Sequence, residues 1–188
     1  MAPRTLVACL GNIFLSDDGF GVEVAQRLAR QDLPAGVRVT DYGIRGMHLA
    51  YDLAEGFDNT ILVDTTQRGG EPGTIYLIEP EQDPEQDAIG EPAPDAAQAS
   101  LLAGMSLLNA HGMQPDVVLS LAGTLGGQAG RVLVVGCEPA TLEEGIGLST
   151  PVTAAVDEAV RMVTRLVTGG TADDRPANQD NQEESTKR

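Results

Sequence analysis

The sequence predicts an α/β protein, a three-layer α/β/α sandwich with a mostly parallel central sheet of about five strands. Strand-like and helix-like stretches alternate along the chain, which is the order that a parallel sheet with helical connections requires. Three of the strand-like stretches are also continuously apolar, as is typical of strands covered on both faces. These three runs are "TLVACL" (5–10), "NTILVDT" (59–65) and "GRVLVVGCEP" (130–139).

The first half of the chain gives the order strand, helix, strand, helix, strand. After the strand at 5–10, "VEVAQRLARQDL" (22–33) places apolar residues on one face of a predicted helix. "VRVTDYG" (37–43) alternates as a strand does, and "GMHLAYDLAEGF" (46–57) has helical spacing. The apolar run at 59–65 then supplies the third strand and ends close to an aspartate.

The second half continues the alternation. "GTIYLIE" (73–79) predicts a strand, and "PDVVLSLAGTLGG" (115–127) predicts a helix that ends in glycines before the last apolar run. A final helix begins at "LSTPV", where Thr150 is the predicted N-cap and Pro151 suits the first helical position. It closes at the glycines of 168–170. Valines at near-helical spacing predict its buried face: Val152, Val156, Val160, Val163 and Val167.

These elements form one predicted α/β domain over residues 1–170, followed by a polar tail at 171–188 that we expect to be disordered. An insertion interrupts the domain at 79–95, "EPEQDPEQDAIGEPAPD", with seven acidic residues, four prolines and no basic residue. Such a composition cannot bury enough apolar surface to fold by itself, so we expect a solvated segment there.

Composition and charge argue against several classes of partner. The 188 residues include 28 acidic and 12 basic side chains, giving a net charge of −16. Nucleic acids and anionic membrane surfaces both require clustered Lys and Arg, so neither is an expected partner. No run approaches the roughly 18 apolar residues of a membrane span, and no signal peptide precedes the first strand. We therefore expect a cytoplasmic protein in which Cys9 and Cys137 are buried thiols.

Acidic residues and a histidine stand where strands of such a sheet end. Asp17 and Asp18 follow the first strand in "GNIFLSDDGFG", and Asp64 lies at the end of "ILVD". Ligands of open parallel sheets bind outside the carboxyl ends of the strands, so these carboxylates can converge at one edge. His111, in "NAHGMQP", precedes the helix that leads to the last strand. Two aspartates and a histidine with open positions would suit a divalent ion such as zinc or nickel.

Each of these residues also has an ordinary structural interpretation. A doubled aspartate before glycine is common at an N-cap or Asx turn, and an aspartate ending a strand often caps the turn that follows. A lone histidine such as His111 can simply be structural, and His48, inside an amphipathic helix, is interpreted as structural or solvent-facing. Spacing alone therefore leaves the metal site as one of two interpretations.

A phosphate site is the weaker interpretation of the glycine-rich turn after the first strand. Such a turn is one part of dinucleotide-binding motifs. Here, however, Asp17 and Asp18 occupy the turn, and no Lys or Arg lies between Gly11 and Gly21. Repulsion between like charges makes this a poor anion site.

Four segments, in order, resemble the hydrogenase maturation proteases, the endopeptidases that trim the large subunit of nickel–iron hydrogenases. The first two are "GNIFLSDDGFGVEVAQRL" and "DYGIRGMHLAYDL". The third, "ILVDTTQRGGEPGTIYLIE", carries the strand-end aspartate, and the fourth is "RVLVVGCEPATLEEGIGLSTPVTAAV". One departure is Cys9, which stands where the family often has the first glycine of Gly-x-Gly-Asn.

The resemblance implies a nickel-contacting and catalytic trio formed by Asp18, Asp64 and His111. It implies that the nickel is carried by the substrate, a hydrogenase large-subunit precursor already loaded with its metal centre. It also implies that the enzyme removes a C-terminal extension from that precursor.

Two alternatives remain open at this point. In the first, the protein is a metal-independent hydrolase in which Cys137 is the nucleophile and His111 the base. In the second, it is a non-catalytic adaptor of hydrogenase assembly with the same fold. Alkylation of Cys137 would separate the first alternative from the metal-sensing protease.

Overall fold

The computed structural model describes residues 3–79 and 130–169, which form a five-stranded sheet with helices on both faces. The strand order is β2-β1-β3-β5-β4, in which the first four strands are mutually parallel and β4 runs antiparallel to β5. This confirms the predicted α/β class. The strands are β1 (Thr5–Leu10), β2 (Val37–Gly43), β3 (Asn59–Thr65), β4 (Ile75–Ile78) and β5 (Arg131–Cys137).

Three α-helices cover the sheet in the described residues: α1 (Phe20–Leu28), α2 (Gly46–Ala54) and α3 (Thr150–Val167). A short 3-10 helix, Ser16–Gly19, precedes α1 and contains both acidic residues of the first loop. Within 3–79 and 130–169 no helix is long and apolar enough to cross a membrane.

Alternate residues of the central strands face two separate apolar layers. Val7 and Cys9 of β1 pack toward α1 and α3, whereas Leu6, Ala8 and Leu10 pack toward α2. All six residues of β1 are buried, which explains why its sequence is apolar without alternation. Core packing on both faces therefore fixes the strand ends, from which the site residues project.

Helix boundaries differ from the predicted ones for local reasons. The helix predicted at 22–33 begins at Phe20 and ends at Leu28, and the four residues after it, 29–32, are all exposed, so no buried face continues the helix. The helix predicted at 46–57 ends at Ala54, and Gly56 beyond it has a φ of 78°.

The start of α3 is shifted by one residue, since Ser149 rather than Thr150 is the N-cap. Pro151 lies in its first turn as predicted. The helix predicted at 115–127, the tail at 171–188 and nearly all of the 79–95 insertion lie outside the described residues.

Candidate active site

The loop after β1 folds back sharply and brings an acidic pair to the carboxyl edge of the sheet. Gly11 allows this turn, since its φ is 139° and a Cβ there would lie 1.9 Å from the backbone oxygen of Asp18. The loop then packs against the segment before α3, with hydrogen bonds from the N–H of Ser16 to the Gly145 carbonyl (3.0 Å) and from the N–H of Gly145 to the Phe14 carbonyl (2.9 Å).

Asp17, the first acid of the pair, is part of the structural frame. It is fully buried, and its carboxylate accepts hydrogen bonds from the N–H groups of Ala140 (2.8 Å), Thr141 (3.1 Å) and Ser149 (2.6 Å) and from the Ser149 hydroxyl (2.9 Å). Burial by itself would raise the pKa of Asp17, but these hydrogen bonds outweigh it and hold the pKa below the ordinary value. Both carboxylate oxygens are thus committed to joining two loops.

Asp18, the second acid, faces the open edge instead. It is half-buried, and its Oδ2 accepts the N–H of Asn12 at 2.9 Å while its Oδ1 accepts the hydroxyl of Thr65 at 3.1 Å. Each oxygen therefore has one donor and retains a lone pair for a further ligand. The doubled acid is explained by a division of roles, because Asp17 holds the fold and Asp18 is presented at the edge.

Asp64 lies close to Asp18, at the end of β3. Its Oδ1 accepts the N–H of Thr65 at 2.7 Å. Burial, followed by the negative charge of Asp18, raises the pKa of Asp64 to about 7, although hydrogen bonds from Thr65 partly oppose the shift. Two carboxylates that repel each other in a partly dry site form a natural place for a cation, since a positive ion would relieve that repulsion.

Of the two histidines, the structure describes His48 alone. His111 lies outside the described residues. His48, on α2, is exposed, which agrees with the solvent-facing interpretation. Among residues 3–79 and 130–169, no group of three His, Cys, Asp or Glu side chains is placed to hold a metal ion. The structure thus brings Asp18 and Asp64 together, and the three-residue site stays a prediction.

Cys137 does not have the environment of a nucleophile. Its side chain is fully buried in the apolar layer between the sheet and helices α1 and α3. Burial, with smaller contributions from neighbouring carboxylates, raises the pKa of the thiol to about 12. A reactive cysteine needs the thiolate form and access to substrate, and Cys137 has neither. Cys9 is likewise fully buried, and burial raises its pKa strongly.

Two residues that the sequence interpretation missed support the site. Thr65 contacts both Asp18 and Asp64. Glu138, which is 5% exposed, accepts hydrogen bonds from the N–H groups of Arg68 (2.8 Å) and Gly69 (3.1 Å) and from the Tyr76 hydroxyl (3.0 Å). These bonds fix the loop that follows β3. An acidic residue directly after the continuous apolar run of β5 was the available signal for Glu138.

Comparisons with known proteins agree with this architecture. The family model described as hydrogenase maturation protease matches residues 22–89 and 98–166. Hydrogenase 2 maturation protease of Escherichia coli is 30% identical over 162 residues, covering 85% of this chain and 88% of that protein. Hydrogenase expression/formation protein HupD of Rhodobacter capsulatus is 32% identical over 164 residues, covering 84% of this chain and 70% of that protein.

Solved structures give the same result. The hydrogenase maturating endopeptidase HybD from E. coli aligns with a TM-score of 0.64 and 28% identity, covering 88% of this chain and 93% of that chain. The hydrogenase 2 maturation peptidase from a Thaumarchaeota archaeon aligns with a TM-score of 0.62 and 28% identity, covering 89% and 99%. With a five-stranded α/β sheet that carries two neighbouring carboxylates at its edge, and with a family model that matches most of its length, this chain belongs to the family of hydrogenase maturation proteases.

Proposed function

We propose that this protease removes the C-terminal extension of a nickel–iron hydrogenase large-subunit precursor after nickel insertion. In this proposal Asp18, Asp64 and His111 contact the nickel that the precursor carries, so that only a loaded precursor is cut. The observation that carries the proposal is the Asp18–Asp64 pair, in which the charge of Asp18 helps to raise the pKa of Asp64 to about 7.

The chemistry of the pair suits an ion that is already partly ligated. Two short carboxylates and one imidazole leave coordination positions open, as recognition of a metal bound in another protein requires. The Asp18–Asp64 repulsion makes the site unfavourable when empty and favourable when a cation enters. The pair can thus distinguish a loaded precursor from an empty one by charge.

Asp64 is also the better candidate for proton transfer. In the metal-free site its pKa of about 7 lets the carboxyl group exchange a proton near neutral pH, and the nickel of the precursor would lower that pKa and favour the carboxylate form. Hydrolysis forms a bond between a water oxygen and the scissile carbonyl carbon and breaks the carbon–nitrogen bond. The water loses one proton to a base, and the leaving amine gains one. We assign Asp64 the role of that base.

The proposed compartment is the cytoplasm. Both cysteines are free and buried, as is usual where thiols are kept reduced. The proposed partner is the hydrogenase precursor alone, with no nucleic acid and no membrane.

The direct test incubates the purified protein with nickel-loaded and nickel-free precursor and measures the mass of the released peptide. We expect cleavage of the loaded form only. Asp18→Asn, Asp64→Asn and His111→Ala should each abolish cleavage and leave the protein folded, because Asn keeps the shape of Asp and loses its charge. Asp32→Asn, at an exposed position after α1, is the matched control and should cleave normally.

Two results would contradict the proposal. Cleavage of nickel-free precursor at the same rate would show that the metal is not read. Full activity of Asp18→Asn would show that the Asp18–Asp64 pair is not part of the active site. Metal analysis of the purified enzyme provides an independent check, and we expect well below one nickel per chain because the ion belongs to the substrate.

A further inference from the structure

One residue contacts both carboxylates of the pair. The Thr65 hydroxyl donates to Oδ1 of Asp18 at 3.1 Å, and the Thr65 backbone N–H donates to Oδ1 of Asp64 at 2.7 Å. Thr65 therefore lies between two carboxylates that repel each other.

The sheet holds Thr65 in place from below. Thr65 is the last residue of β3 and pairs with Cys137 of β5. The next residue, Thr66, donates its N–H to the Cys137 carbonyl at 2.9 Å. Thr66 also packs over Gly136, where a Cβ would lie 2.4 Å from its hydroxyl oxygen. The Thr65 hydroxyl is thus a donor held by the end of β3, whereas Asp18 belongs to the loop that follows β1.

We infer that Thr65 is a positioning residue that sets the separation and orientation of Asp18 and Asp64 for a metal ion. This inference rests on the proposed function, since it assigns a role toward the same ion. A β-branched residue would suit the end of a strand whether or not it carried a hydroxyl. Valine has that shape and lacks the donor, so the contribution of the hydroxyl can be tested separately from that of the shape.

The loss of the hydroxyl should affect metal recognition more than folding. Without the Thr65 hydroxyl, the Asp18 carboxylate keeps one donor, the N–H of Asn12. Repulsion from Asp64 should then move the Asp18 carboxylate away from Asp64. Residues that hold metal ligands in place typically change affinity or activity by about 10- to 100-fold when mutated. We expect a change of that size in Thr65→Val and little change in Thr65→Ser.

The test compares three variants at equal folded concentration. Thr65→Val and Thr65→Ser are measured with Thr74→Val, which removes a hydroxyl that donates to the Glu71 carbonyl. The first measurement is kcat/KM for the nickel-loaded precursor, with nickel-free precursor incubated alongside as the control for the parent protein. The second is calorimetric titration of each protein with Ni²⁺ alone.

Support requires that Thr65→Val lower cleavage of the loaded precursor and Ni²⁺ affinity at least about tenfold, while Thr65→Ser and Thr74→Val match the parent protein. A purely structural role would lower cleavage of the loaded precursor and leave the Ni²⁺ affinity of Thr65→Val at the parent value, which would overturn the inference. Parent-like kinetics in Thr65→Val would also overturn it, whatever the titration gives. Failure of the proposed function gives a different result, because the parent protein itself would then cut nickel-loaded and nickel-free precursor at equal rates.

Discussion

Asp17 and Ser149 lie 132 residues apart in the sequence, and the Asp17 carboxylate accepts both the N–H and the hydroxyl of Ser149. Ser149 is the N-cap of α3, so the bond places a negative charge at the positive end of an 18-residue helix. The same carboxylate also binds the N–H groups of Ala140 and Thr141. One buried side chain thus joins the acidic turn to the segment that connects β5 with α3.

The first prediction separates the two neighbouring acids. Asp17→Asn should lower the free energy of unfolding by about 2–4 kcal/mol, because an amide presents its own N–H groups to donors and loses the charge they stabilise. Asp18→Asn should change it by about 1 kcal/mol or less, since Asp18 is only half-buried at an open edge. Urea denaturation at pH 7 measures both values, and equal losses would contradict the assigned roles.

The stability lost in Asp17→Asn should depend on pH. The folded pKa of Asp17 lies below the ordinary value, so its charge stabilises the protein above the unfolded pKa. That contribution is lost as pH falls through the folded pKa. The difference in free energy of unfolding between the parent protein and Asp17→Asn should therefore become smaller at acid pH.

The second prediction is that Asp64→Asn stabilises the protein at neutral pH. Burial and the charge of Asp18 raise the pKa of the native Asp64 carboxyl to about 7, whereas the unfolded carboxyl loses its proton near the ordinary pKa of 3.8. Between these values the native state binds more protons, so rising pH favours unfolding. At pH 8 we expect Asp64→Asn to be more stable than the parent by about 1–3 kcal/mol, and the gain should vanish near pH 3. Thermal denaturation at both values, with Asp32→Asn alongside, measures it. A gain independent of pH would contradict the assigned cause.

The third prediction concerns the loop that follows β3. The Glu138 carboxylate accepts hydrogen bonds from this loop and from Tyr76, and the backbone N–H of Arg68 is the largest cause of its lowered pKa. Glu138→Gln should speed amide hydrogen exchange at Arg68 and Gly69, because a neutral amide accepts these bonds more weakly. Exchange followed by mass spectrometry measures it, with the exposed Glu71→Gln as control. Unchanged protection would show that other contacts hold the loop.

The effect of Glu138 should also depend on pH. Its folded pKa is lowered, so its contribution is complete above the unfolded pKa and is lost as pH falls through the folded one. The amide exchange rates of Arg68 and Gly69 in Glu138→Gln and in the parent protein should therefore converge at acid pH.

The fourth prediction tests the cysteine alternative. Iodoacetamide should leave Cys9 and Cys137 unmodified in the folded protein and label both in urea, because both thiols are buried and have raised pKa values. Cys137→Ala should still cleave precursor, at a cost of about 1–2 kcal/mol in stability for the lost sulfur. Rapid labelling of Cys137 in the native state, accompanied by loss of cleavage, would restore that alternative.

The strands were predictable because burial on both faces leaves a continuous apolar run, as in β1 and β5. The ends of α1 and α2 were less predictable. Residues 29–32 after α1 are all exposed, and Gly56, with its positive φ, follows the end of α2. The tail at 171–188 stays a prediction. Deleting it should leave the melting temperature nearly unchanged, since its polar composition offers little surface to bury.

The site was only partly predictable from sequence. Strand-end position was enough to select Asp64 and the neighbours Asp17 and Asp18, because the sheet brings such positions to one edge. The choice of Asp18 over Asp17 came from the family resemblance. The different role of Asp17 depends on Ser149, and that of Thr65 on Asp18, and these contacts join distant parts of the chain. Spacing in the sequence carries no information about such contacts.

Glu79 and Arg131 are joined at the edge of the sheet by two hydrogen bonds, at 2.7 and 3.0 Å. The chain thus leaves the described frame after β4 and re-enters it at β5 through neighbouring positions. Two chain ends held side by side fix a closure entropy that grows only slowly with the number of residues between them. A change in the number of residues between Glu79 and Arg131 should therefore cost the sheet that carries Asp18 and Asp64 little stability through loop closure.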